Sequence, residues 1–186
     1  MTFPLISLVI ATACPAGMVW AGGRVCIDEL PMSMADGHPR LGLSATRESY
    51  VPLRGVIWDL ESLCAARGAR MCSDAEWQSA CDGTPVASCP SHELPYRVPD
   101  WTLVGLRSPR ELARLNRSSH WRAYPSCVST VGARMMGAIQ EWVRAKRGYA
   151  FSRGFWSRDG TCSQFITSHA PDWHDYATSG RCCLDV

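Results

Sequence analysis

The chain has 186 residues, 46% of them hydrophobic, and a formal net charge of +2 at pH 7. A chain of this length is expected to form one domain with a core of its own. So small a charge excludes the strongly basic surface of a typical nucleic-acid-binding protein. The ten cysteines are dense and even in number, which is typical of proteins that form disulfides in an oxidising compartment.

Residues 3–13 form an uncharged apolar run. The run is shorter than the about 20 residues that a membrane-spanning helix needs, so we expect no transmembrane segment. It suits the apolar region of a secretion signal, and its last three residues fit the small-x-small cleavage rule. We therefore expect a signal peptide over residues 1–13, one domain over residues 14–186, and a secreted or periplasmic location. An N-terminal strand and a lipid anchor on Cys14 remain open as alternatives.

The first predicted element of the domain is a β-hairpin over residues 17–27. Gly22 and Gly23 supply the backbone freedom that a tight hairpin turn requires. Cys14 and Cys26 flank this hairpin and can pair across it. The next stretch, residues 28–52, contains three prolines and little periodicity, which predicts an extended loop.

Two short helices are predicted next. In residues 59–67, Leu60, Leu63 and Cys64 share one helical face, and Gly68 suits the C-terminal stop. These apolar positions predict that the first helix packs against the core.

The second helix begins at a capping box, in which Ser73 and Glu76 satisfy the first free backbone N–H groups. Ala80 and Cys81 lie on its inner side, and Gly83 ends it. A second capping box at residues 108–111 predicts a third short helix.

The final thirty residues suggest strands, with a long excursion between Cys162 and Gly180. Cys182 and Cys183 are adjacent, and adjacent cysteines rarely bond each other because the ring would be strained. They therefore need two separate partners, for which Cys64 and Cys72 are candidates. Short helices, scattered strands and disulfides together predict an α+β fold with much irregular structure.

Several motifs between Cys14 and Cys183 occur in a recognisable order. They are Cys14-Pro15-x-Gly17-Met18-Val19, Gly55-Val56-Ile57-Trp58-Asp59 with Cys64, Gly68-Ala69-Arg70-Met71-Cys72-Ser73-Asp74-Ala75-Glu76-Trp77 with Cys81, Cys127-Val128-Ser129, Gly137 with Glu141-Trp142, and Arg153-Gly154 with Gly180-Arg181-Cys182. Together they resemble the formylglycine-generating enzyme, or sulfatase-modifying factor, family. The resemblance implies a compact C-type-lectin-like fold with little regular secondary structure.

The resemblance also implies a set of disulfides. Two are those of the family's enzymes, and three are those expected of cysteine-rich bacterial relatives. In that order the pairs are Cys64–Cys182, Cys81–Cys162, Cys72–Cys183, Cys89–Cys127 and Cys14–Cys26.

The resemblance does not extend to the family's chemistry. The family's enzyme oxidises a substrate cysteine with molecular oxygen, using two cysteines just before the position matched by Cys162. Soft thiolate ligands suit Cu(I), which activates oxygen. This chain has no cysteine between Cys127 and Cys162. We therefore expect no formylglycine-generating activity and, by extension, a non-catalytic protein.

The family also binds calcium through an asparagine that this chain lacks. Of the family's pattern, Glu141 remains as a hard oxygen ligand, with Gln140 as a substitute. Calcium takes six to eight oxygen ligands. The resemblance therefore still implies one possible cofactor, a calcium ion bound by Glu141.

Two further clusters each have a functional and a plain interpretation. The first, His169, Asp172, His174 and Asp175, would form a metal site or a polar loop. The second consists of arginines at helical spacing, which would grip an anionic partner or form a solvated helix face. Its members are Arg107, Arg110, Arg114 and Arg117.

Aromatic residues near the C-terminus would line a recognition surface or belong to the core. These aromatics are Phe155, Trp156, Phe165, Trp173 and Tyr176. The residues expected to contact a ligand are Trp156, Arg158, Phe165, Trp173, His174 and Tyr176.

The function expected from these observations is a secreted or periplasmic lectin-like module. It would be non-catalytic and would bind a protein or glycan, not nucleic acid, through residues 155–180. One alternative is a divergent oxidoreductase of the same family that holds iron through His169 and His174. Another is a diversified receptor of a retroelement system, in which residues 156–178 vary between copies.

Overall fold

The computed structural model describes residues 13–35, 38–44, 57–89, 124–135, 140–152, 161–171 and 178–186. In these ranges the chain is mixed α+β and rich in disulfides, as expected. The two α-helices are α1 (Ile57–Ala65) and α2 (Asp74–Cys81). The strands are β1 (Met18–Trp20), β2 (Val25–Asp28), β3 (Met32–Ala35), β4 (His38–Ser44), β5 (Arg70–Met71), β6 (Gln140–Ala145), β7 (Gly148–Ser152), β8 (Phe165–Ile166), β9 (Thr178–Gly180) and β10 (Cys182–Asp185).

One four-stranded sheet joins both ends of the described chain. Its order is β1-β2-β10-β5, and every neighbouring pair is antiparallel. The C-terminal strand β10 lies in the middle, with Cys183 opposite Ile27 of β2 and Cys182 opposite Met71 of β5. The end of the chain is therefore held between its first strands and the segment between the helices.

A second four-stranded sheet has the order β8-β7-β6-β9. Strands β6 and β7 form an antiparallel hairpin, and β9 joins β6 in parallel, with Ser179 opposite Glu141. Strand β6 thus occupies the interior of this sheet and is paired on both sides.

The predicted N-terminal hairpin is confirmed, and the predicted loop after it is wrong in part. Gly22 and Gly23 both have positive φ at the turn between β1 and β2. Within residues 28–52, however, β3 and β4 form a hairpin of their own. Pro39 misled the prediction, because in the described sheet β4 has β3 as its single neighbour and an edge strand tolerates a proline.

Helix α1 begins and ends two residues earlier than predicted. Ile57, Leu60 and Cys64 form its buried stripe. The helix starts at Ile57, whose backbone N–H donates to the carbonyl of Pro171 at 3.3 Å. Gly68 follows the helix with a φ of 69°, a left-handed conformation that suits the predicted stop.

Helix α2 begins and ends as predicted. Ser73 Oγ accepts from the N–H of Glu76 at 3.2 Å, and Glu76 Oε2 accepts from the N–H of Ser73 at 2.7 Å, which completes the capping box. Gly83 follows the helix with a φ of 75°. The positive φ favours glycine here, and an added Cβ would also crowd the side chain of Thr130.

The core consists of two clusters. The first includes Ile27, Trp77, Val143 and Cys183, and the second gathers α1 with Met71, Trp142 and Cys182. Consecutive strand residues point to opposite faces, which explains how Trp142 and Val143, like Cys182 and Cys183, belong to different clusters. Strands β6 and β10 therefore each contribute to both clusters.

Five disulfides fasten this arrangement, and they are the pairs that the resemblance implies. They are Cys14–Cys26, Cys64–Cys182, Cys72–Cys183, Cys81–Cys162 and Cys89–Cys127. Their Cα–Cα distances of 4.8 to 5.6 Å lie in the usual range for a disulfide. The bridges from Cys182 and Cys183 tie β10 to α1 and to the start of α2.

None of the helices in the described ranges is both long and apolar enough to cross a membrane.

Candidate binding site

The segment expected to bind a ligand, residues 155–180, is described in part. Residues 161–171 and 178–180 are described, and five of the six expected contact residues lie outside these ranges. Those five are Trp156, Arg158, Trp173, His174 and Tyr176. The sixth, Phe165, is half-buried in β8, and its ring meets Trp77 edge to face with centroids 6.0 Å apart. Phe165 therefore packs against the core with part of its surface exposed.

The described parts of the 155–180 segment are fastened to the domain at several points. The Cys81–Cys162 disulfide ties the segment to the end of α2. Strand β8 pairs with β7, and Pro171 accepts the hydrogen bond from Ile57. Strand β9 then pairs with the interior strand β6. The described parts of the segment thus belong to a disulfide-fastened frame, and binding segments commonly occur on such frames.

The first residue of α1 is hydrogen-bonded to this segment, and the outer face of the helix carries an exposed tryptophan. Trp58 has 53% of its surface exposed, the largest exposure of a bulky apolar residue in the described ranges. It directly follows Ile57, whose N–H bonds to Pro171. Trp58, Glu61 and Ser62 lie off the buried stripe of the helix, three and four residues apart, and so share its outer face.

A polar network fixes Glu61 on this face. Arg144 of β6 forms an ion pair with Glu61 Oε1 through Nη2, and the hydroxyl of Tyr149 in β7 donates to the same oxygen at 2.9 Å. Desolvation raises the pKa of Tyr149, and its bond to the Glu61 carboxylate raises it further. The phenol therefore stays protonated and continues to donate at neutral pH.

Glu141, the expected calcium ligand, is buried in β6 and paired with a buried arginine. Arg181 donates from Nε to Glu141 Oε2 at 2.8 Å and from Nη2 to Glu141 Oε1 at 3.1 Å. The remaining N–H groups of the guanidinium donate to the backbone carbonyls of Asp28, Glu29 and Arg134. Both carboxylate oxygens are thus used within the domain.

A calcium ion does not fit this arrangement. It would compete with the Arg181 guanidinium for the Glu141 oxygens and place a second positive charge beside it. Gln140 does not help, because adjacent strand residues point to opposite faces and the two side chains cannot converge on one ion. Its Oε1 is buried and has no hydrogen-bond partner among the described residues.

The other candidate metal site is covered only at its first residue. His169 is half-buried, and Asp172, His174 and Asp175 lie outside the described ranges. In the part of the chain that the structure describes, no three His, Cys, Asp or Glu residues are grouped to hold a metal. The predicted third helix and the arginine face of residues 107–117 also lie outside the described ranges.

All ten cysteines of the chain are described, and all ten are in disulfides. A cysteine acts as a nucleophile or binds copper in its thiolate form. In this oxidised form the protein contains no cysteine thiolate.

The sequence interpretation missed the outer face of α1. Trp58 is an apolar residue that lies outside the buried stripe of Ile57, Leu60 and Cys64. A bulky apolar side chain outside such a stripe indicates an exposed aromatic residue, and the sequence contains this signal. The Glu61–Arg144 pair joins residues 83 positions apart, and no local pattern indicates such a contact.

Comparison with models of known protein families and with curated protein sequences found no match.

Proposed function

We propose that this protein is a secreted or periplasmic, non-catalytic, lectin-like module that binds a protein or glycan through residues 155–180. The proposed family is the one that the sequence resembles, that of the formylglycine-generating enzymes. The five disulfides are compatible with a secreted or extracellular protein.

The observation that carries this proposal is the fastening of the 155–180 segment. The Cys81–Cys162 bridge, the β7–β8 pairing and the parallel β6–β9 pairing hold its described parts on both sides of residues 172–177. Holding a binding segment in place lowers the conformational entropy that it loses when a partner docks. A stapled frame of this kind serves recognition well.

The cysteines support the non-catalytic part of the proposal. With every cysteine in a disulfide, the oxidised chain has no thiolate pair to bind copper and activate oxygen. A sulfatase-type peptide incubated with the protein and copper should therefore yield no aldehyde product.

A binding screen tests the proposal. Labelled protein is applied to a glycan array and to a panel of purified surface-protein ectodomains, beside the variants Trp173→Ala and Trp20→Ala. Trp20 is the matched control, since it is 43% exposed on β1. We expect Trp173→Ala to weaken binding by about 1–3 kcal/mol at an unchanged melting temperature, as loss of a central aromatic contact does.

Two results would contradict the proposal. One is binding that Trp173→Ala and a six-residue Gly/Ser replacement of 172–177 both leave unchanged in folded protein. The other is absence of binding to either panel together with metal-dependent turnover that His169→Ala and His174→Ala abolish, which would favour the oxidoreductase.

A further inference from the structure

The outer face of α1 combines an exposed aromatic ring with polar groups that other elements hold in place. Trp58 and Glu61 are three residues apart on one helical face, so their Cβ atoms are about 5–6 Å apart. That distance is close to the width of one sugar ring. Arg144 of β6 and Tyr149 of β7 both contact the carboxylate of Glu61.

We infer that Trp58, Glu61 and Arg144 form a glycan subsite next to the 155–180 segment, with Tyr149 as a positioning residue. The inference rests on the proposed function and names the class of ligand as a glycan. Trp58 would stack on the apolar C–H face of a pyranose ring, and Glu61 with Arg144 would bind a pair of adjacent hydroxyls on that ring.

The hydrogen-bonding groups of the pair match such hydroxyls. Arg144 uses Nη2 for its ion pair, while its Nε and Nη1 have no partner among the described residues. Glu61 accepts both of its bonds on Oε1, and Oε2 has no described partner. A sugar hydroxyl both donates and accepts. Two neighbouring hydroxyls therefore satisfy one free acceptor and one free donor held side by side.

The groups are also held in place before any ligand arrives. The Cys64–Cys182 disulfide fixes α1 to β10 of the first four-stranded sheet. The backbone N–H of Arg144 donates to the carbonyl of Cys72 at 2.9 Å, which fixes β6 beside the start of α2. Tyr149 packs against the second core cluster while its hydroxyl holds Glu61. Such fixing limits the ordering cost of binding.

The size and character of the patch favour a glycan over a protein partner. A stable protein interface buries about 800 Å² on each side around a largely apolar centre. The described surface here offers one exposed indole, bordered by a charged pair, which suits a single ring with an apolar face and a polar edge.

Affinity electrophoresis tests the inference. Wild-type protein is run in native gels that contain soluble β-glucan, mannan, glycol chitin or alginate. The variants Trp58→Ala, Glu61→Gln, Arg144→Gln and Trp173→Ala and the control Trp20→Ala are run beside it. We expect retardation of the wild type by at least one polysaccharide. Trp58→Ala should weaken it at least tenfold and Glu61→Gln or Arg144→Gln severalfold, while Trp20→Ala leaves it unchanged. Melting temperatures establish that each variant is folded.

Tyr149→Phe separates positioning from contact. It removes the hydroxyl that holds Glu61 and keeps the ring, so it should weaken retardation less than Glu61→Gln does. If Trp58→Ala does not fold, the retardation of Glu61→Gln and Arg144→Gln relative to wild type tests the inference.

The outcomes distinguish this inference from the proposed function. Retardation that Trp58→Ala, Glu61→Gln and Arg144→Gln leave intact, but Trp173→Ala abolishes, would overturn the subsite and keep the proposed function. Absence of retardation by all four polysaccharides would overturn the subsite, while binding to a protein ectodomain would still satisfy the proposed function.

Discussion

Strand β6 carries two ion pairs that differ in almost every respect except their chemistry. Glu141 pairs with Arg181 inside the domain, where the two side chains are 2% and 0% exposed. Arg144 pairs with Glu61 at the surface, where the exposures are 55% and 27%. Glu141 and Arg144 are three residues apart on a strand, so their side chains point to opposite faces. Strand β6 thus contributes one residue to a buried ion pair and another residue to a surface ion pair.

The inner pair completes a set of hydrogen bonds around the C-terminal strand. Arg181 immediately precedes Cys182, and its guanidinium donates to three backbone carbonyls as well as to Glu141. The buried carboxylate of Asp28 accepts from Arg67 and from the N–H of Cys182 at 2.9 Å. These buried charged groups are hydrogen-bonded to other protein groups instead of to water. The outer pair keeps part of its hydration, and Glu61 Oε2 and Arg144 Nη1 have no partner among the described residues.

The first prediction concerns the inner pair and has the largest expected effect. Arg181→Met should lower the free energy of unfolding by about 3–5 kcal/mol, because it leaves Glu141 and three carbonyls buried without their donor. Chemical denaturation under non-reducing conditions measures this change.

The double variant Arg181→Met with Glu141→Leu is the control for that experiment. It removes both charges and should recover part of the loss. A loss below about 1 kcal/mol in Arg181→Met would mean that water reaches the pair, and the contrast between the two ion pairs would fail.

The features that the sequence predicted well are those whose causes are local. The α2 capping box lies within four residues, and both groups that Ser73 and Glu76 satisfy belong to that helix end. The turn at Gly22 and Gly23 likewise depends on the backbone freedom of the turn residues themselves. The complete set of disulfide pairings followed from the family resemblance. The residues alone offered the Cys14–Cys26 pair across the hairpin and Cys64 and Cys72 as candidate partners of Cys182 and Cys183.

The features that the sequence did not predict depend on distant partners. The β3–β4 hairpin is supported by Ser179, whose Oγ donates to the carbonyl of Met32 from 147 residues away. The family resemblance left calcium as a possible ligand of Glu141, and no local pattern indicated that Arg181, 40 residues further on, pairs with this carboxylate. A sequence identifies an acidic residue. Whether a guanidinium or a metal ion neutralises its carboxylate depends on the tertiary fold.

The second prediction uses an ion pair of intermediate exposure. Burial alone would raise the pKa of Glu76, but its hydrogen bonds with Arg70 and Ser73 outweigh that effect and lower the pKa from 4.5 to about 2. A carboxyl with a lowered folded pKa stabilises the protein above its unfolded pKa. Its contribution is lost as the pH falls from about 5 towards 2.

A pH series of unfolding experiments measures that contribution. Because Arg70 and Glu76 are both partly exposed, we expect a loss of about 1–2 kcal/mol for Glu76, smaller than for the inner pair. Glu76→Gln should flatten this part of the pH profile by the same amount. An unchanged profile in Glu76→Gln would assign the acid sensitivity to other carboxylates.

The third prediction has the smallest expected effect on stability. Glu61→Gln and Arg144→Gln should each change the free energy of unfolding by less than about 1 kcal/mol, since an exposed pair is solvated with or without its partner. The same variants are expected to weaken glycan retardation severalfold. Denaturation and affinity electrophoresis on the same preparations therefore test whether the outer pair acts in binding while the inner pair acts in folding. A loss of 3 kcal/mol or more in either variant would give the outer pair a structural role and remove the distinction between the two ends of β6.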